Sequence, residues 1–559
     1  MRAMNMKNAT FTTQLFLALV VATLFLAPTA FAAAPGITGP TFNLTAQPAY
    51  LNQPDGEAVY SWGYGCNGAP AGFAPTLTNQ ACPSMQVPGP TLIVTEGTAV
   101  SVTLTNQLPT AAGNTSILFP GFTVTPSGGV AGLLTQEAAP GGSVTYTFTA
   151  SAPGTHAYYS GTQGDLQIEM GLYGAVIVLP TSVPANCTTG YHSLNSSART
   201  AHAETDFRLS SAAYDHPGSC YDREYLFQWA EMDSRIHRQA LAQVTATVAS
   251  GVCATAGNAA CRLNVQTEPY HPAYFLINGR SMPDLMDPNF AGEYPHQPYN
   301  ANPHIHMGEL MLIRTIGQGR WQHPFHEHAN HVRILARDGN LQLSGSATPV
   351  TFTSGLTGDT GVAARGLAGL LMFNTDTTPG ESFDGIFYFT GRGLNWDPYG
   401  HHPVSNTGDP LATLGCTADV NGYNSGAPTA VNFMEWCQDH NKPLQVAPFG
   451  DVAAGGPATL PDPNVLTNGP WYGGTPYFGP DASLRASMPA CVAGTNPLNA
   501  NCTTLNPANL QLNPANERGW AFMWHSHNER EITTNNVFPG GVLMMLLVDS
   551  REFVIDEGM

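Results

Sequence analysis

Short runs of alternating apolar and polar residues recur along this chain. Val100, Val102 and Leu104 alternate with Ser101, Thr103 and Thr105, and Val144, Tyr146 and Phe148 alternate with Thr145 and Thr147. A period of two is that of a strand with one buried face. Further strand signals lie at Tyr225-Leu226-Phe227-Gln228-Trp229, Tyr274-Phe275-Leu276-Ile277, Leu310-Met311-Leu312-Ile313, Val332-Arg333-Ile334-Leu335 and Phe383-Asp384-Gly385-Ile386-Phe387. Two glycine-led runs, Gly174-Ala175-Val176-Ile177-Val178-Leu179 and Gly541-Val542-Leu543-Met544-Met545-Leu546-Leu547-Val548, are apolar throughout. Strands this short between Gly/Pro turns predict β-sandwiches.

The order of these signals repeats. Pro140-Gly141-Gly142 leads to a strand ending in Phe, an aromatic strand and a Gly-led apolar strand; Pro379-Gly380-Glu381 leads to a Phe-rich strand, the strand at His525 and a second Gly-led apolar strand. The repeat predicts two related sandwiches. The first spans 34–180, a Cys- and Ser-rich connector 181–220, and the second 221–559. Within the second, about 395–516 is dense in Gly, Pro and Asn and holds four cysteines. Structureless loops of this length are uncommon in compact domains, so it is expected to be a disulfide-pinned insertion, with a third domain as the alternative.

Composition agrees. The 559 residues are 43% hydrophobic and only 11% charged, with 58 Gly and 45 Pro, which suits an all-β chain with many turns and enough apolar residues to fill a core. The net charge of −19 comes with no basic stripe, which argues against a nucleic-acid partner. Arg2 and Lys7, the apolar run from Leu15 to Leu26 and Ala30-Phe31-Ala32 have the layout of an export signal over residues 1–32. No later stretch is long enough to span a bilayer, so an exported protein, periplasmic or extracellular, is expected. The ten cysteines fall into neighbouring pairs, Cys66/Cys82, Cys187/Cys220, Cys253/Cys261, Cys416/Cys437 and Cys491/Cys502. Loop-stapling disulfides fit an oxidising compartment, although spacing does not fix connectivity. If all ten pair, no thiolate is left for a metal.

The candidate chemistry is histidine. Trp524-His525-Ser526-His527 and His323-Pro324-Phe325-His326-Glu327-His328 each carry a His-x-His. On a strand such a pair shares one face, and neutral imidazoles suit copper, zinc, iron and nickel. His326, His328, His525 and His527 are therefore the candidate metal ligands. His323, an odd number of positions from His326, is expected on the side of Ser526. His306 and Glu531 lie beside strands leading to the site and are added as weaker candidates; His304 and His331 are expected to be surface or supporting groups. Ser526 faces away from both neighbouring histidines and no G-x-S-x-G elbow exists, which disfavours a hydrolase.

These motifs resemble those of the multicopper oxidase family, whose cupredoxin domains are Greek-key β-sandwiches. His323-Pro324-Phe325-His326-Glu327-His328 is similar to its H-P-x-H-x-H motif, and the stretch at His525 to its H-C-H motif; Asn278-Gly279 and Asp338-Gly339 also resemble family features. The resemblance implies tandem cupredoxin-like sandwiches, His326 as a type 2 copper ligand, His328, His525 and His527 as type 3 ligands, and His323 as a type 1 ligand. Four departures accompany it. Ser526 stands where the family has the type 1 cysteine, and Glu531 where it has that site's second histidine. Leu118-Phe119-Pro120-Gly121 and Tyr159-Ser160-Gly161 stand where the first domain has its His-x-His motifs. The implied protein is a copper oxidoreductase with one or two ions rather than four, oxidising a small reductant (a phenol or a metal ion) with O2. The donor set would also take zinc, iron or manganese. The alternative is a non-enzymatic metal-binding or structural protein. Two-domain relatives often assemble as trimers, so a homo-oligomer is an open expectation.

Overall fold

The computed structural model describes residues 34–75, 82–255, 257–353, 361–389, short pieces between 416 and 437, the backbone of 488–492 and 504–511, and 519–549, 551 and 554–555. The expected export signal at 1–32, most of the expected insertion and the Cys491/Cys502 pair lie outside the described residues. The architecture is mostly β, with two tandem two-sheet sandwiches, as expected.

The internal repeat appears as repeated sheet topology. In the first sandwich Thr41–Asn52 runs parallel to Ala99–Asn106, which pairs antiparallel with Ser143–Thr149. In the second, Arg223–Met232 runs parallel to Leu310–Gly317, which pairs antiparallel with Ser382–Tyr388. The facing sheets repeat as well: Leu92–Thr95 lies parallel to Tyr173–Leu179 with Gly154–Tyr159 antiparallel beyond it, and His304–His306 lies parallel to Leu543–Asp549 with Gly519–Ser526 beyond it.

The strands buried on both faces are those at the junction. From Tyr173–Leu179, Val176 and Val178 enter the first core, while Ala175 and Ile177 pack with Leu226 and Ile316 of the second sandwich. From Arg223–Met232, Tyr225, Phe227 and Trp229 enter the second core, while Ala230 and Met232 pack with Leu51, Val59 and Val87 of the first. Continuous apolar runs are what such two-faced burial requires.

Two helices, Gly190–Ala201 and Ser234–Ser250, were not expected. The second starts where the Asp233 side chain accepts the Arg235 N–H and ends at Gly251, in the left-handed conformation that favours glycine. Its Ile236 and Ala240, with Leu263 beyond it, are buried in the core of the first sandwich. The chain therefore returns to the first sandwich after residue 221, where the second was expected to begin. Four of the neighbouring cysteine pairs, 66/82, 187/220, 253/261 and 416/437, are disulfides. Among the described residues no helix is long and apolar enough to cross a membrane.

Candidate metal centre

Cross-strand register assembles the site. His323–Glu327 pairs antiparallel with Gly519–Ser526 so that His326 stands directly opposite His525, and His328 joins them from just beyond the strand end. Nitrogen atoms of His326, His328 and His525 all lie within 4.8 Å of one another. His527 sits at the exposed edge, its ring centroid 5.1 Å from that of His326 and 5.8 Å from that of His525.

Two of the three rings are oriented by backbone carbonyls. His326 Nδ1 lies 2.7 Å from Phe373 O, and His525 Nδ1 lies 2.7 Å from Ser526 O. An Nδ1–H donated to a carbonyl leaves the Nε2 lone pair for a ligand, the usual support of a metal-binding imidazole. The Trp524 Nε1–H donates to His328 O at 3.0 Å, which ties the third ligand's backbone to the same strand. Burial disfavours the charged rings, and the neighbouring imidazoles add to the effect: His326 is pushed down to about 4 and His328 to about 3. Burial lowers His525 too. At neutral pH these are uncharged donors.

The donor set fits a transition metal. His328 Nε2 and His525 Nε2 are 3.2 Å apart, close to the edge of about 3.3 Å expected between ligands at ~2.0 Å from one tetrahedral ion. Three histidines with an open edge is also the layout of catalytic rather than closed structural sites.

His323 stands apart from this triad, on the Ser526 side, as its odd spacing predicts. Its Nδ1 lies 2.8 Å from Glu531 Oε2 and its Nε2 lies 3.0 Å from Glu231 Oε2. Burial opposes a charge on this ring, but the two carboxylates outweigh it and hold its pKa up at about 9. Ser526 donates to Glu531 Oε2 at 2.6 Å, and Asn528 Nδ2 to Glu531 Oε1 at 2.9 Å. Gly319, at φ +69°, lets the chain pass so close to Glu231 that any β-carbon there would strike its carboxylate. Glu531, a weaker ligand candidate, thus serves this network rather than the triad. His306, the other, has its Nδ1 2.9 Å from Asp549 O and its Nε2 3.1 Å from Glu204 Oε2. Both of its nitrogens are engaged, and it lies outside the cluster. Glu327 points into the core, where Thr375 donates to it at 2.6 Å and burial holds its carboxyl well above the usual range.

Sequence reasoning did not find Glu231. It lies in an unbroken buried strand, and only its alternation with Trp229 hinted that it faces His323.

In the first sandwich the cross-strand pair equivalent to His326 and His525 is Leu118 opposite Tyr159. Phe119 beside it is buried among Tyr146, Phe148 and Tyr158.

Residues 79–183 match the multicopper oxidase family. Residues 82–180 of this stretch lie in the first sandwich, and the histidine triad lies outside the matched stretch. Laccase 1 of Metarhizium acridum (strain CQMa 102) is 38% identical over 118 residues, 20% of this chain and 18% of that protein. L-ascorbate oxidase of Brassica rapa subsp. pekinensis is 38% identical over 96 residues, 17% of this chain and 16% of that protein. The chain thus aligns with less than a fifth of each of these curated relatives. Among solved structures it is similar to the multicopper oxidase mgLAC, with a TM-score of 0.40 and 14% identity over 91% of this chain and 85% of that one. It is also similar to the blue copper oxidase from Nitrosomonas europaea, with a TM-score of 0.39 and 13% identity over 90% and 85%.

Proposed function

We propose that this protein is an exported, multicopper-oxidase-like oxidoreductase that binds copper at His326, His328 and His525 and oxidises a small reductant with O2. The observation that carries this reading is the triad of uncharged imidazoles, two of them oriented by a carbonyl on Nδ1. Bound copper would supply one-electron exchange with the reductant and O2. His326, His328 and His525 hold the ion, and His527 lies at the exposed edge as a fourth donor. Phe373 O and Ser526 O keep the ligand tautomers fixed. A small phenol or a metal ion is the reductant class that suits an open histidine site with Phe373 and Met523 exposed near it.

The centre lacks a blue copper in this reading. Ser526 offers a hydroxyl already committed to Glu531, and no cysteine among the described residues is free. One or two ions are expected rather than four. The test is the metal content and absorption spectrum of protein purified without added copper and then titrated with it. Stoichiometric binding that is lost in His326→Ala and His525→Ala, with turnover of a phenol, supports the reading. No transition-metal binding sinks it.

The Leu118–Tyr159 pair favours a second reading, a metal-binding protein without turnover, because the first sandwich offers no imidazole at the equivalent place. Copper bound at the triad without O2 consumption by any reductant would select it.

A further inference from the structure

Tyr270 lies outside the metal centre but is tied to it by an unbroken chain of contacts. Its hydroxyl donates to Glu169 Oε2 at 2.6 Å and reaches Glu231 Oε1 at 3.1 Å. Glu231 Oε2 in turn meets His323. The His323 ring lies 5.9 Å from Trp229, Trp229 lies 4.7 Å from Phe325, and Phe325 lies 5.9 Å from Trp524. Trp524 is hydrogen-bonded to the backbone of His328. At its other end Tyr270 is half-buried, with Trp321 edge-on at 5.7 Å and the Arg320 guanidinium 4.2 Å above its ring.

We propose that Tyr270 is a proton-coupled redox relay residue, through which electrons from a phenolic reductant reach the histidine triad. This rests on the oxidoreductase reading above. The chain has no thiolate at Ser526 to conduct an electron towards His525, so a phenol that does not enter the open edge of the triad needs another route. In the step, the Tyr270 O–H bond breaks, its proton moves to the Glu169 carboxylate, and one electron leaves along Glu231, His323, Trp229, Phe325 and Trp524 for a one-electron oxidant at the triad. The neutral phenoxyl radical then takes one electron from the phenol and recovers its proton from Glu169. The phenol's own proton goes to water.

Two features make the proton acceptor necessary. The cation over the ring penalises any net positive charge there, so electron loss without proton loss is disfavoured. Burial and the two carboxylates also hold the Tyr270 hydroxyl well above its usual range, which rules out prior ionisation. Glu169 is fully buried, accepts the shorter hydrogen bond from Tyr270, and burial raises its pKa, which favours its taking up the proton. The plainer role for Tyr270 is as a donor to two buried acids, and it predicts no radical chemistry.

The test uses the full chain in two states. In metal-free protein, hexachloroiridate(IV) oxidation followed by freeze-quench electron paramagnetic resonance should give a tyrosyl signal. That signal should be lost in Tyr270→Phe, strongly reduced in Glu169→Gln and unchanged in Tyr50→Phe. In copper-loaded protein, Tyr270→Phe should slow reduction of the copper by a phenol while copper content stays the same. A signal that persists in Tyr270→Phe or at full strength in Glu169→Gln overturns the proposal, as does an unchanged reduction rate. The metal-free arm is independent of copper, so its failure counts against the relay alone, whereas absence of copper binding counts against the functional reading.

Discussion

Ser526 donates its hydroxyl hydrogen to Glu531 at 2.6 Å, and through that carboxylate it is joined to His323. By the resemblance, Ser526 and Glu531 stand in place of a cysteine and a histidine that bind copper. Here they are buried, and with His323 and Glu231 they close a hydrogen-bonded chain. The Glu531 carboxylate bridges His323 of one strand and Ser526 of the next.

The first prediction concerns this chain. Ser526→Ala removes a donor from a buried carboxylate and should cost about 1–3 kcal/mol in denaturant unfolding. Copper-loaded wild-type protein should show only weak ligand-field absorption. An intense thiolate-to-copper band in the wild type would contradict the assignment of the network.

The second follows from His323. Its pKa is about 9 in the folded chain against an ordinary value near 6.5. The folded state therefore binds the proton more tightly, and the stabilisation is fully present below about pH 6.5 and is lost as pH rises through about 9. Melting temperature should fall across that window in the wild type. In His323→Gln the fall should be much reduced, with lower stability at neutral pH. Parallel pH profiles would show that His323 is not the group responsible.

Much of this was legible in the chain, for physical reasons. The repeat could be read because Pro-Gly turns and Gly-led apolar strands keep their order in both halves. The triad could be read because i, i+2 spacing puts two imidazoles on one strand face whatever the strand pairs with. His306 misled: it lies beside a strand leading to the site, but its partner Glu204 is remote in sequence and carries no local signal. The helix Ser234–Ser250 had its signals in Asp233, Gly251 and the i, i+4 spacing of Ile236 and Ala240. The strand pattern before it drew the boundary elsewhere, because packing of a helix against a distant core leaves no trace in its own sequence.

The third prediction concerns acid. His326 and His328 have pKa values lowered to about 4 and about 3, so protons compete poorly with a metal above about pH 5. Bound copper should be retained essentially unchanged from pH 7 to about 5 and released below that, as followed by dialysis and metal analysis. In the metal-free chain the same lowered values work against stability: the unfolded state takes up protons first, so stability falls as pH drops below about 6.5. Copper loading should raise stability at neutral pH but leave the acid loss at least as steep, because the unfolded chain still takes up protons while the copper-bound rings do not. Release with a midpoint near 6.5 would indicate ordinary, exposed histidines instead.

The last prediction concerns the junction. Asp384 of the second sandwich accepts Thr155 Oγ1 at 2.6 Å and Tyr214 OH at 2.5 Å, with the Arg314 guanidinium 3.7 Å away. Thr155 belongs to the first sandwich, so this carboxylate ties the two together. Asp384→Ala leaves Thr155 and Tyr214 without their acceptor while Arg314 keeps Glu224 at 3.0 Å, and should cost about 1–3 kcal/mol, the scale of unsatisfied buried donors. The sandwiches should nonetheless unfold together. Ile177, Leu226 and Ile316 remain packed across the junction, and each buried aliphatic side chain contributes about 1.5–3 kcal/mol, so together they outweigh the lost carboxylate. Calorimetry should therefore show one transition at lower temperature. Two separated transitions would mean that the polar tie, rather than apolar burial, couples the halves.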